Sequence, residues 1–409
     1  MSDVPVNRQG HPSPLIFHLG AAVLGYQSAL TFAANPMDPE KVWQPELRDD
    51  ALKIEPLDIL RLTQTSVGRL RGMLSGLTKW QAHPYRRAVV EPDVIWSDGS
   101  SRLLDYGTCP EASDPYGPPI LVIPSMINRA YILDLHKDCS LLRFLAGQGL
   151  RPLLLDWGEP SGVERGFDLD SYVEKRVLPA LDVARGMSEK PVGVLGYCMG
   201  GTLAAGVLAQ CGEGVAAFAT IGSPWDFDAS MGVAAALQSV ATAPKATQFL
   251  KEQGQVFGMV PTIFFQQMFA AINPMQAAVK FRKFNEMDQS SELARHFVAI
   301  EDWLADGVPL VTPTAKDLLV GWNINNATAK GSWRLLGQPV DVSAIRQPAL
   351  CVCGKRDSIT QLKVATALPD SIATVKIIVP EAGHVGMIVG SKARESVWRP
   401  IADFFTEQL

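Results

Sequence analysis

The run Val192-Gly193-Val194-Leu195-Gly196-Tyr197-Cys198-Met199-Gly200-Gly201 is an apolar strand that breaks into a Gly-x-Cys-x-Gly turn and continues as the helix-forming Thr202-Leu203-Ala204-Ala205-Gly206. Strand, sharp turn and helix in that order make a nucleophile elbow. Such a turn forces its central residue into a strained backbone conformation with the side chain projecting above the sheet, and it leaves room only for glycine at the close-packed positions beside it. Cys198 stands at that centre, where most elbows of this kind carry serine, and is the candidate nucleophile.

An elbow nucleophile needs an acid and a histidine, which follow it in that chain order. Gln347-Pro348-Ala349-Leu350-Cys351-Val352-Cys353 reads as a short buried strand, and the turn Gly354-Lys355-Arg356-Asp357 sets Asp357 at its end. A helical segment, the strand Thr374-Val375-Lys376-Ile377-Ile378-Val379 and the loop Glu381-Ala382-Gly383-His384 come next, before a final helix. Of the six histidines, His384 alone follows a strand and lies after both other candidates, so it is the candidate base. Cys351 and Cys353 occupy alternate strand positions and read as small buried hydrophobes.

Composition narrows the classes. A chain of 409 residues, 47% hydrophobic and 19% charged, can bury a large core. A net charge of −5 offers no basic field, which argues against nucleic acid as a partner. Six cysteines scattered through this length make no disulfide framework and fit a reducing, cytoplasmic setting. No apolar run reaches the ~18–20 residues of a transmembrane segment, because Gln27 and Thr31 interrupt the longest early one, residues 21–34, which also lacks a basic start and reads as mature protein.

The chain is expected to divide into an N-terminal helical region (1–85), a first half of an α/β core (86–223), a helical cap insertion (224–342) and a second core half (343–409). Leu57 to Trp80 reads as an amphipathic helix weakened by Gly68, Gly72 and Gly76, either packed on a core or facing a partner. Val94-Ile95-Trp96 and Ser101 to Tyr106 flank Ser97-Asp98-Gly99 as a hairpin. Residues 119–124 and 150–157 are continuous apolar strands, the pattern of a parallel sheet covered on both faces. Within the insertion, residues 260–269 are the most apolar part, and Glu301-Asp302-Trp303-Leu304 reads as the opening of another element. Asp156 and Asn128 read as residues that shape loops near the site.

Four blocks, Pro124-Ser125-Met126-Ile127-Asn128-Arg129-Ala130-Tyr131-Ile132-Leu133-Asp134-Leu135, Leu154-Leu155-Asp156-Trp157-Gly158-Glu159-Pro160, the elbow through Thr202, and Gly383-His384-Val385-Gly386-Met387-Ile388-Val389-Gly390-Ser391-Lys392-Ala393, together resemble the polyhydroxyalkanoate synthase family over residues 90–409. The resemblance implies an α/β-hydrolase fold, a mostly parallel sheet with helices on both faces and a helical cap. It also implies a Cys198, His384 and Asp357 site that polymerises (R)-3-hydroxyacyl-CoA into polyester and releases coenzyme A. Acyl-CoA is then a substrate, and no cofactor or metal is expected. The tetrahedral oxyanion calls for two fixed donors, the backbone N–H of Met199 and one near Met126 or Ile127. The chain is shorter than the self-sufficient synthases, and its block around His384 resembles the short ones that need a second subunit. Implied partners are therefore a homodimer or second synthase subunit and the polyester granule surface. The residues themselves leave open two other readings: a cysteine-type polyester depolymerase or thioesterase, and a non-catalytic granule-associated protein.

Overall fold

The computed structural model describes residues 8–34, 55–187, 189–231 and 243–409. Parts of the expected N-terminal region and cap insertion, residues 1–7, 35–54 and 232–242, lie outside the described residues. Eight strands form one sheet: β1 (Asp93–Asp98), β2 (Ser101–Asp105), β3 (Pro119–Ile123), β4 (Arg151–Asp156), β5 (Val192–Tyr197), β6 (Val215–Ile221), β7 (Ala349–Val352) and β8 (Val375–Ile378). Their spatial order is β1-β2-β4-β3-β5-β6-β7-β8. β2 pairs antiparallel with both β1 and β4, and every other pairing is parallel. The hairpin expected from Ser97-Asp98-Gly99 joins β1 to β2, with Gly99 at φ +57°.

Continuous apolar sequence produces the central strands because helices cover both faces of a parallel sheet. All residues of β3 and β5 are buried accordingly. With the elbow at the carboxyl end of β5, this is the α/β-hydrolase fold.

By internal contacts the chain forms two units, one of residues 87–264 and 306–409 built on the sheet, the other of the N-terminal helices up to Arg86 and residues 265–305. The segment 224–342 is thus divided between them. The helical unit has a core of its own, in which Met73, Leu77 and Trp80 meet Ala277, Phe281, Phe284 and Val298. Among the described residues no helix is long and apolar enough to cross a membrane.

The stretch expected to be weakened by glycines is one helix, Pro56–Ala82. Its glycines do not act alike. A Cβ on Gly76 would sit 1.9 Å from the Phe281 carbonyl oxygen, whereas nothing lies within 4 Å of one on Gly68. Gly76 therefore lets the helix Gln276–Glu286 approach closely, and Gly68 only lowers helix propensity. Gly68→Ala is expected to stabilise the protein by about 0.5–1 kcal/mol. Gly76→Ala, at the same helical spacing, is expected to destabilise it by about 1–3 kcal/mol. Thermal unfolding of the two variants checks the opposite signs.

Glu301 and Asp302 do not open an element. They lie in the last turns of the helix Glu292–Ala305. Both are buried and paired: Asp302 accepts from Arg8 Nε (2.7 Å), Arg8 Nη2 (2.7 Å) and Trp80 Nε1 (3.2 Å), and Glu301 meets Lys280 Nζ at 2.7 Å. Acidic residues at a helix start are the local expectation, and here distant cations take precedence.

Candidate active site

β5 lies between β3 and β6, and its end carries Cys198 into φ 54°, ψ −128° before the helix Met199–Cys211 begins. Backbone bonds hold the turn: Cys198 N–H donates to the Ile221 carbonyl at 2.8 Å, and Gly201 N–H to the Cys198 carbonyl at 2.9 Å. A Cβ on Gly196 would lie 2.2 Å from the Gly201 Cα, and one on Gly200 would lie 2.1 Å from the Ile123 carbonyl oxygen. Glycine is thus required by close approach, and the strained backbone is what lifts the cysteine out of the strand. Cys198 is partly exposed, whereas Cys351 and Cys353 are buried and burial pushes their thiols up to about 11 and about 12. Neither of those two is a nucleophile at neutral pH.

Asp357 lies in the turn after β7 and His384 in the loop after β8. Backbone bonds tie these loops together, Lys355 N–H to the Pro380 carbonyl at 2.9 Å and Arg356 N–H to the Ala382 carbonyl at 3.1 Å. One carboxylate oxygen of Asp357 accepts the N–H groups of Ile359 and Thr360, each at 2.8 Å, which fixes the carboxylate plane. The other lies 2.6 Å from His384 Nδ1. An ionised carboxylate only accepts, so Nδ1 carries the proton, and Cys198 is near enough to act on the ring electrostatically. Burial disfavours the imidazolium, but the charges of Cys198 and Asp357 outweigh it and push His384 up to about 10. The structure thus pairs His384 with Asp357 near the elbow cysteine, an arrangement able to carry out acyl transfer.

Two supporting residues escaped the sequence reading. Gly222, between β6 and Ser223, has φ +60°, and a Cβ there would lie 3.2 Å from both Cε1 and Nδ1 of His384. It leaves the ring its place. Tyr197 covers the imidazole with ring centroids 5.4 Å apart. A glycine straight after an apolar strand was the available signal for Gly222; nothing local marked its neighbour.

Of the oxyanion candidates, Met199 heads the elbow helix, whose first N–H groups have no intrahelical acceptor. Met126 and Ile127 are buried in the loop after β3, and Ile127 N–H faces Ser125 Oγ at 3.5 Å. That loop starts against the elbow, since Gly200 abuts the carbonyls of Ile123 and Pro124. The Trp157 indole holds the Pro124 carbonyl at 3.1 Å.

Comparison with known proteins points to one family. The family model described as "Poly-beta-hydroxybutyrate polymerase (PhaC) N-terminus" matches residues 86–145. The "Poly(3-hydroxyalkanoate) polymerase subunit PhaC" of Haloferax mediterranei is 30% identical over 321 residues, covering 77% of this chain and 64% of the relative. Its namesake from Haloarcula marismortui is 30% identical over 329 residues, covering 77% and 67%. That of Allochromatium vinosum is 24% identical over 366 residues, covering 86% and 99%. The chain therefore spans less than two thirds of the length of the first of these relatives and nearly all of the third.

Proposed function

The chain belongs to the poly(3-hydroxyalkanoate) polymerase family, and on that premise we propose that it polymerises (R)-3-hydroxyacyl-CoA through a covalent acyl-cysteine on Cys198. The observation that carries this reading is the His384 ring, 2.6 Å from Asp357 and within electrostatic reach of the elbow cysteine. In the first half-reaction the Cys198 sulfur attacks the acyl-CoA carbonyl, the carbon–sulfur bond to coenzyme A breaks, and coenzyme A leaves as a thiol with the proton that His384 holds. One thioester replaces another, so the step is nearly balanced and the acyl group stays activated. In the second, His384 takes the proton of a 3-hydroxyl, the alkoxide attacks the acyl-cysteine, and Cys198 is released as thiolate. Asp357 holds the imidazole tautomer and stabilises the imidazolium. Backbone N–H groups of Met199 and of Met126 or Ile127 stabilise the tetrahedral oxyanion. Acyl-CoA is substrate throughout, and no cofactor enters the scheme.

The reading extends to a cytoplasmic protein at the surface of a polyester granule, with a second copy or second subunit as partner. Its support is the apolar row Leu60, Val67 and Leu74, spaced by seven and exposed on the helix Pro56–Ala82. A hydrolase would use the same three residues and differ only in the acceptor of the acyl group. The deciding experiment is to feed purified full-length protein 3-hydroxybutyryl-CoA and analyse what accompanies the released coenzyme A. Ester-linked oligomer or polymer is the expected product; free 3-hydroxybutyrate in equal amount to coenzyme A favours the thioesterase reading instead.

A further inference from the structure

The loop from Pro124 to Arg129 is fastened at both ends. At its start the Trp157 indole and the elbow glycine Gly200 hold Pro124. At its far end Asn128 forms an antiparallel bridge with Gly307, and Arg129 Nε donates to Asp306 Oδ1 at 2.7 Å while Nη2 reaches Glu159 Oε2 at 3.4 Å. Asp306 and Gly307 belong to a segment that is itself anchored, because Leu310 and Val260 exchange two backbone hydrogen bonds of 3.0 and 2.8 Å. Arg129 is three-quarters buried, with its side chain 23% exposed, and Asp306 is 30% exposed. A pair this shielded fixes geometry better than a mobile surface ion pair does. Between the two fastenings lie Met126 and Ile127, both buried.

We infer that Arg129 is a positioning residue for acyl transfer: its clamp on Asp306 holds the Met126–Ile127 backbone where the second oxyanion donor is needed. The inference rests on the acyl-cysteine reading above. An oxyanion donor works only when it is fixed before the charge develops, and a displacement of about 1 Å is enough to cost roughly 10²-fold. Glu159 and Asp306 together also explain why the loop after β4 and the chain from residue 306 sit at this one guanidinium.

The test separates two reactions of one thiol. Acylation of Cys198 passes through an oxyanion; its alkylation by iodoacetamide does not. In full-length protein, single-turnover acylation by 3-hydroxybutyryl-CoA and by p-nitrophenyl butyrate is compared with alkylation for the native chain, Arg129→Ala, Arg129→Lys, Asp306→Ala and the double alanine variant. Arg129→Ala is expected to slow acylation by both acyl donors about 10- to 100-fold and to leave alkylation within about twofold. Arg129→Lys, which keeps a cation for Asp306, should recover most of the loss. The double variant should be no slower than either single one, because the pair acts as a unit. Unchanged acylation in Arg129→Ala overturns the inference, and so does a parallel fall in alkylation, which marks general damage to the elbow. If Arg129→Ala does not fold, Arg129→Gln and Asp306→Asn supply the same ratio. A native chain that accepts the ester but not the acyl-CoA counts against the proposed function, while the ester rates still decide the clamp.

Discussion

Cys198→Ala is expected to lower coenzyme A release from 3-hydroxybutyryl-CoA by about 10⁴-fold or more and to abolish covalent acyl labelling while leaving the fold intact. The loss is large because Cys109, Cys139, Cys351 and Cys353 are buried, with burial pushing their thiols up to between about 11 and about 12, and Cys211 lies at the far end of the elbow helix Met199–Cys211. The fold survives because the side chain projects from a turn held by backbone bonds to Ile221 and Gly201, none of which involves the sulfur. Cys351→Ala and Cys353→Ala serve as controls. They should stay active and lose about 1 kcal/mol of stability, the cost of removing one small buried atom. Continuous coenzyme A detection and intact-protein mass spectrometry read both outcomes.

Separating His384 from Asp357 gives the second large effect. His384→Ala removes the base for both half-reactions, and acylation and elongation should each fall by about 10³- to 10⁴-fold. Asp357→Asn is different in kind. The oxygen that accepts from Ile359 and Thr360 is retained, so the side chain keeps its plane, but an amide N–H₂ then faces His384 Nδ1 and favours the wrong tautomer. Elongation, which must deprotonate an alcohol, should fall by about 10³-fold or more, and acylation by a thiol by only about 10- to 100-fold. Single-turnover labelling with a chain-terminated acyl-CoA measures the first step alone. Equal loss of both steps in Asp357→Asn contradicts this division of roles.

The raised value of His384, about 10, has a sign that can be checked as well. A histidine whose folded value exceeds its unfolded one contributes stability that is fully present below pH ~6.5 and is lost as pH rises through the folded value. The imidazolium therefore supports the fold at neutral pH and below. The stability advantage of the native chain over His384→Ala, measured by denaturant unfolding, should accordingly shrink as pH rises from 7 towards 10.

The elbow turn and the strand ends that carry Asp357 and His384 were legible because each is local: a glycine-bracketed cysteine between strand and helix, then two short apolar strands running into turns. The sheet was legible for the same reason, as runs of apolar residues that became β3, β4, β5, β7 and β8. What escaped was long-range. Gly76 reads locally as a weak point in a helix, and only its contact with Phe281, about two hundred residues later, makes it a packing requirement. Glu301-Asp302 reads locally as a helix start, and only Arg8, Trp80 and Lys280 draw it into a buried helix end. Arg129 carries no local signal at all, since its meaning lies in Asp306 and Glu159.

The central claim is that the acyl group passes through Cys198, and one measurement addresses it most directly. Full-length protein is mixed with 3-hydroxybutyryl-CoA, quenched in acid within the first turnovers, digested and analysed by mass spectrometry with and without neutral hydroxylamine. The account predicts a 3-hydroxybutyryl group, or a short oligomer of it, on the peptide that contains Cys198, removed by hydroxylamine as a thioester. Release of coenzyme A with Cys198 unmodified, or with the acyl group on another residue, contradicts it.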